Sequence, residues 1–529
     1  MIEILEKVVA ALTVSCILCL STVKLLGVMQ QGGYKNGAFW RWLKRKNNLL
    51  FNRLSVLALC LALSTAVTSL CFSFLGVSLA LLLSAVPFFV LLLVYGKADG
   101  KYALKVPATR TGRYLRLFGV YCLYTAIVSY ALISALGFLA TWNGSELYAL
   151  VAYVPFAVMP LLLPALLCLA NVTTRPFENR RNRKFVQWAG QVLDETNMLC
   201  VGVVGSYGKT SVKNILKTIL SEKYSVVQTP ESFNTPTGIA RTVFSAGFAS
   251  KQVFIAEMGA RKAGDIKELC ELVKPDYAIF TGVCRQHIQT FGSLDNVFAE
   301  KSEILQCGAR KVVCGRSLQE RIGEATESVI YASEAKDLRL EGTETAFTLT
   351  VGGKETEVKT KLLGRSAAED IALAATLAYE MGLTVEEIER GIKKLQPVPH
   401  RLQLIESGGA YILDDGYNCN IVGAKSALEV LGLFEGRKCV VTPGIIECGI
   451  LEDELNGELG KTIAAGNFDK VILVGDTLVG AVKDGYVAAG GDGERLTTVK
   501  TLGAAQNLLG EWIQSGDCVL FLNDLPDVY

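Results

Sequence analysis

Val201-Gly202-Val203-Val204-Gly205-Ser206-Tyr207-Gly208-Lys209-Thr210 reads as a buried strand that runs into a glycine-rich turn and then a helix. The strict phosphate-loop spacing G-x-x-x-x-G-K-[ST] fails, because position 203 is Val and Gly202 comes one residue early. The mechanics survive. Gly205 and Gly208 let backbone N–H groups face phosphates, and the helix start adds its dipole. Lys209 can bridge phosphates, and Thr210 can hold Mg²⁺. A strand, turn and helix around Gly-Lys-Thr therefore point to a nucleotide, against the plainer reading of a glycine turn that happens to precede a lysine.

Outward from this stretch, short β-rich runs alternate with helix-like segments. The runs are Leu199–Gly205, Val253–Ala256, Tyr277–Val283 and Lys311–Cys314. That alternation predicts a mostly parallel sheet with helices on both faces. Leu338–Lys359 alternates polar and apolar residues around Gly352-Gly353 and reads as a hairpin. Ala367–Leu395 reads as helical, and Pro397-Val398-Pro399 as a linker. A second α/β cycle follows, with strands near Tyr411–Asp414, Lys438–Thr442, Lys470–Gly475 and Cys518–Leu522. The expected organisation is a transmembrane domain over 1–184, a central α/β P-loop ATPase domain over 185–398 and a Rossmann-like α/β domain over 399–529.

The transmembrane expectation comes from the uneven spread of apolar residues. Mean hydropathy is +0.34, high for a soluble protein of 529 residues. Leu54 to Gly96 contains no Asp, Glu, Lys or Arg, enough for two spans of about 20 residues. Leu117–Ser145 and Leu147–Thr174 are uncharged too, and Val8–Met29 is a further candidate, giving five spans in all. Pro155, Pro160 and Pro164 predict a kink in the last. Lys and Arg gather in the connections after the first and third spans and after the fifth, and are missing from the other two. The positive-inside rule then puts the N-terminus outside and the α/β part in the cytoplasm of a multi-pass membrane protein. A net charge of +2 and basic residues that sit beside the spans give no support for nucleic-acid binding. Two histidines exclude a three-histidine metal site, and the 15 scattered cysteines do not read as a secreted disulfide framework.

The loop Gly-Ser-Tyr-Gly-Lys-Thr-Ser at 205–211 resembles the phosphate loop of the Mur ligase family, the ATP-dependent amide ligases of bacterial cell-wall synthesis. Further segments resemble that family's motifs in order. They are Ser232–Gly238, Ile255–Ala260, His287 with Phe291-Gly292-Ser293, Ala299–Ile304, His400-Arg401-Leu402 and Asp414–Asn420. The last, with Phe-Gly-Ser, is similar to the branch that adds D-alanyl-D-alanine to the UDP-muramoyl tripeptide. The resemblance covers about residues 195–525.

What it implies is specific. ATP and Mg²⁺ are the cofactors, and the partners are a cell-wall precursor and an amino acid or dipeptide. Gly205, Ser206, Tyr207, Gly208, Lys209, Thr210 and Ser211 hold phosphates. Thr210 and Glu257 bind one metal ion, and His287 is a further metal ligand. Lys301 is a carbamylated lysine on the second metal, where a charged run including Glu300 and Glu303 otherwise reads as a solvated face. Asn418 and Asn420 contact adenine or ribose, Arg401 a phosphate, and Asp415 stands at the cleft. Lys209, His287 and Lys301 are the implied catalytic residues. The chain also departs from the pattern. Five spans replace the UDP-binding first domain. Gly282 stands in place of Asn, Ser366-Ala367 in place of a His-Asn pair, and Asn456 where the branch often has His. Two alternatives stay open: a poly-γ-glutamate-type capsule ligase, and a degenerate nucleotide-binding membrane scaffold. Oligomeric state is not legible.

Overall fold

The computed structural model describes residues 2–44, 56–58, 60, 63, 90, 108–143, 154–285, 291–417, 419–446 and 448–523. The chain forms two compact units, one from Met1–Arg181 and one from Asn182–Asp524.

The first unit is helical: α1 (Ile2–Ser21), α2 (Val23–Gln31), α3 (Asn36–Lys44), α4 (Gly112–Asn143) and the part of α5 (Val154–Glu195) up to Arg181. Leu18, Cys19, Leu117 and Tyr121 are buried where α1 meets α4, and the Thr22 and Tyr121 hydroxyls lie 3.0 Å apart there. Leu123 and Ile127 on α4, and Leu161, Leu162, Leu169 and Val172 on α5, face outward. Apolar side chains on the outside of a helical unit suit a hydrocarbon solvent. Two helical stretches, Gly112–Ala135 and Met159–Glu195, are long and apolar enough to cross a membrane. The pair Lys7–Leu20 and Val23–Gln31, bent by 53°, makes a third if it is one span. The two spans expected within Leu54–Gly96 lie outside the described residues, apart from isolated positions. Helix α5 is unbroken through Pro160, Pro164 and Pro176, and it runs on to Glu195, past the uncharged stretch that ends at Thr174.

The second unit holds two six-stranded sheets and one of three strands. The first runs β2 (Val226–Gln228), β3 (Val253–Glu257), β1 (Leu199–Val204), β4 (Tyr277–Phe280), β5 (Lys311–Cys314) and β6 (Val329–Tyr331), in that spatial order. All of its pairings are parallel. Central strands are buried on both faces, which is why they read as unbroken apolar runs. Helices α6 (Lys209–Leu220), α7 (Leu294–Ser302) and α8 (Gly364–Glu380) cover it. The expected hairpin is a three-stranded antiparallel sheet, β7 (Ala335–Glu341), β8 (Glu344–Val351) and β9 (Lys354–Thr360), with its second turn at Gly352-Gly353. The helical stretch expected over Ala367–Leu395 is two helices. They are α8 and α9 (Val385–Lys393), separated by Gly382 at φ +87° and restarted by a Thr384–Glu387 capping box.

The remaining sheet has the spatial order β10 (Gln403–Ser407), β11 (Ala410–Asp415), β15 (Cys518–Leu522), β12 (Lys438–Thr442), β13 (Lys470–Val474) and β14 (Leu496–Val499). Its β10–β11 edge is antiparallel and the rest is parallel.

Candidate functional site

Strand β1 lies between β3 and β4, so the strand order reverses where the chain leaves its carboxyl end. Loops at such a switch point form a crevice, and the Gly205–Gly208 turn is the one that emerges there. Gly208 caps α6 at φ +72°, and a methyl on it would sit 2.6 Å from an Asp370 carboxylate oxygen. Glycine is required on both counts.

Four charged side chains converge below this turn. Lys209 Nζ donates to the Gly205 carbonyl at 2.9 Å, and Lys301 Nζ, from α7, donates to the same oxygen at 2.9 Å. Burial and the neighbouring Lys209 charge pull the Lys301 ammonium down to about 7. Burial also lowers Lys209, with Glu257 opposing. Glu257 ends β3 and is 1% exposed. One of its oxygens accepts from the Thr210 hydroxyl and from Lys213 Nζ, both at 3.0 Å; the other accepts from Asn234 Nδ2 at 3.2 Å.

Lys213 was missed from the sequence. It is 0% exposed and donates also to the Glu231 carbonyl, so it ties α6, the backbone at Glu231 just before the Ser232–Gly238 loop and the end of β3 together. Its position carried a signal. Lys213 falls on the face of α6 that also presents Leu216 and Leu220, where an amphipathic helix otherwise places apolar residues.

The run around Lys301 is not a solvated face. Glu300 and Lys301 are 6% and 2% exposed, and the Glu300 carboxylate accepts from the Gly264 and Ile266 N–H groups at 2.7 Å each. Glu300 therefore caps a helix start, while Lys301 points to the Gly205–Gly208 turn.

The opposite wall comes from the second six-stranded sheet. Arg401 stacks on the Tyr417 ring at 4.6 Å, and the Tyr417 hydroxyl lies 3.0 Å from the Ser232 hydroxyl. Asp415 accepts from the Leu402 N–H at 3.1 Å; burial pushes its carboxyl up to about 6, with Arg401 opposing. Asn420 caps the helix Ile421–Gly432 by accepting from the Val422 and Gly423 N–H groups, so its oxygen is engaged in the fold. Tyr207, Gly208, Ser211, Arg401, Asp415 and Asn420 border one cleft of 660 Å³. Lys209, Glu257 and Lys301 do not line it; they cluster around Gly205 and Thr210. The Ser206 hydroxyl is buried without a partner among the described residues. His287 and Asn418 lie outside the described residues.

One departure has a physical reason. A Cβ at Gly282 would fall 2.5 Å from Tyr207 Cζ, so the Tyr207 ring fills the space that an Asn side chain there would need. Ser366 and Ala367 border the cleft beside Asp370, whose carboxyl burial raises well above its ordinary range.

Among the described residues no three His, Cys, Asp or Glu side chains group as a metal cage. The Thr210 hydroxyl and Glu257 carboxylate are hard oxygen donors, 3.0 Å apart beside the Gly205–Gly208 turn. Such a pair fits Mg²⁺, which takes one or two protein ligands and completes its shell with phosphates and water. An unmodified Lys301 amine does not fit that preference.

Residues 203–378 match the family model described as the Mur ligase middle domain. The chain is 26% identical over 299 residues to the UDP-N-acetylmuramoyl-tripeptide–D-alanyl-D-alanine ligase of Bacillus subtilis, covering 55% of this chain and 65% of that one. It is 27% identical over 308 residues to the enzyme of the same description from Escherichia coli, covering 55% and 68%. The chain thus spans about two thirds of the length of these relatives. Among solved structures, the MurF ligase from Thermotoga maritima in complex with ADP superposes with a TM-score of 0.59 at 23% identity, covering 65% of this chain and 80% of that one. That likeness shows the Mur-ligase-like α/β fold.

Proposed function

We propose that this chain is a membrane-anchored, ATP-dependent amide ligase of envelope precursors, of the type that adds D-alanyl-D-alanine. The observation that carries the reading is the convergence of Lys209 and Lys301 on the Gly205 carbonyl, beside Thr210 and Glu257. It supports a site for the terminal phosphates of ATP, with Lys209 bridging them and the 205–211 loop donating N–H groups. Arg401, Asp415, Asn418 and Asn420 then flank the nucleoside side, and His287 and Lys301 complete the reacting end. Bound at Thr210 and Glu257, Mg²⁺ supplies neutralisation of phosphate charge.

The reaction balances in two steps. A substrate carboxylate oxygen attacks the γ-phosphorus, ADP leaves, and an acyl phosphate forms. An amine then attacks the acyl carbon, inorganic phosphate leaves, and the amine loses a proton. Phosphoryl transfer of this kind depends on alignment and charge neutralisation. Lys209 provides a fixed cation and the buried turn excludes water.

The architecture that goes with this function has five spans within 1–184, the N-terminus outside, and cytoplasmic catalytic domains over 185–398 and 399–529. The two long apolar helices and the outward-facing leucines support it. One observation favours a degenerate scaffold instead: the Asp370 carboxyl stands against the phosphate turn. Lys209→Ala separates the two readings. Loss of ATP turnover with retained folding supports the ligase; turnover absent from wild type and variant alike supports the scaffold.

A further inference from the structure

The helical unit holds a polar cluster that the ligase reading does not use. Arg116 reaches Glu178 with Nε at 2.5 Å and Nη2 at 3.0 Å, and the Glu178 side chain is 3% exposed. That bidentate pair is closed. Arg113 has no such partner: its guanidinium lies 3.8 Å from the centre of the Tyr34 ring, and no carboxylate among the described residues pairs with it. Arg175 lies within electrostatic reach as well. The Arg113, Arg116 and Arg181 guanidinium groups thus all act on the one Glu178 carboxylate. The Tyr34 hydroxyl is buried with no hydrogen-bond partner among the described residues. Buried hydroxyls rarely go unpartnered, and this one has surplus positive charge beside it.

The frame around the cluster is fixed. Asn171 Nδ2 donates to the Tyr34 carbonyl at 2.9 Å and to Asn36 Oδ1 at 2.7 Å, and Asn36 donates to the Cys168 carbonyl at 3.2 Å. Gln30 exchanges hydrogen bonds of 2.9 and 3.0 Å with the backbone of Thr109. The α2–α3 turn, the segment before α4 and the middle of α5 are therefore tied together.

We propose that these three segments form a binding site for the phosphate group of a membrane lipid, with the Arg113 guanidinium and the Tyr34 hydroxyl as donors. A planar guanidinium fork and a phenolic O–H match phosphate oxygens. The level of the site selects the source. Arg113 stands just before the uncharged run Leu117–Ser145, and Arg175 just after Leu147–Thr174, where apolar chain meets charge and lipid phosphates lie. Membrane topology accounts for the number of arginines, but not for an unpaired Arg113 stacked beside a buried, unpaired hydroxyl. The proposal rests on the membrane reading of this unit.

The test uses the full-length protein in phosphatidylcholine nanodiscs doped with phosphatidic acid, with lipid retention read by native mass spectrometry. Arg113→Gln is expected to weaken retention about tenfold or more, and Tyr34→Phe about threefold, from the loss of charge-assisted and neutral hydrogen bonds respectively. Arg180→Gln, an exposed arginine on the same helix, is the control and is expected to leave retention unchanged. Equal loss in Arg113→Gln and Arg180→Gln would overturn the site in favour of a diffuse basic surface. Displacement of the lipid by inorganic pyrophosphate at equal concentration would overturn the lipid assignment. If Arg113→Gln does not fold, unchanged retention by Tyr34→Phe refutes the proposal. Release of the wild-type protein from membranes by alkaline carbonate would instead refute the membrane reading, which keeps the two failures distinct.

Discussion

Replacing Lys213 by Met should expose how the site is held before nucleotide arrives. Lys213 and Glu257 are 0% and 2% exposed at the side chain, with 3.0 Å between charged atoms. Methionine keeps most of the stem volume and removes only the charge and its donors. Glu257 then keeps Thr210 and Asn234 as donors but loses its only ion-pair partner among the described residues. Removing one member of a buried pair costs about 3–5 kcal/mol, because the other charge stays buried. Urea unfolding of the full-length protein in detergent measures this. The loss should shrink when Mg²⁺ and ADP are added, since a dication at Thr210 and Glu257 replaces the missing positive charge. Metal-bound nucleotide should thus stabilise Lys213→Met more than wild type. A variant within about 0.5 kcal/mol of wild type, the range of ordinary surface substitutions, would refute the reasoning. So would equal stabilisation of both proteins by Mg²⁺ and ADP.

Three further outcomes follow from the geometry. Gly282→Ala should displace the Tyr207 ring, cost about 1–3 kcal/mol and be relieved by a second change, Tyr207→Ala, in a double-mutant cycle. Lys301, drawn down to about 7, becomes a neutral amine above that pH; a ¹³C carbamate signal from labelled CO₂ should therefore grow as pH rises through that value and vanish in Lys301→Ala. Asp415 has an ordinary value of 3.8 and is raised to about 6, so between these values the native state holds a proton that the unfolded chain has released. Its contribution to stability therefore falls as pH rises across that window, and Asp415→Asn should flatten this slope in denaturation curves.

Much of the α/β fold was legible because central parallel strands are buried on both faces. Lys311–Cys314, Lys438–Thr442 and Cys518–Leu522 coincide with strands as read from the sequence. The strands that escaped, β2, β6, β10 and β14, are three to five residues long and half-buried or exposed at sheet edges, where the apolar signal fades. The break between α8 and α9 was hidden by apolar residues on both sides of Gly382. At the site, the Gly205–Gly208 turn and the helix after it were legible through glycine and lysine spacing. The burial of Glu300, Lys301 and Lys213 was not, because a charged run gives no sign of which members turn inward until tertiary partners such as Glu257 and the Gly264 N–H are known. The pairing of Gly282 with Tyr207 was likewise invisible, since it joins residues from two strand ends.

The most direct test of the proposed activity is phosphate release from ATP and Mg²⁺ by the full-length protein in nanodiscs, compared with Lys209→Ala. UDP-muramoyl tripeptide with D-alanyl-D-alanine, other amino acids, and lipid-linked precursors serve as acceptor and donor sets. Acceptor-dependent phosphate release that disappears in Lys209→Ala, with a new amide product of matching mass, is the predicted result. ATP binding with no phosphate release under any acceptor set would contradict it.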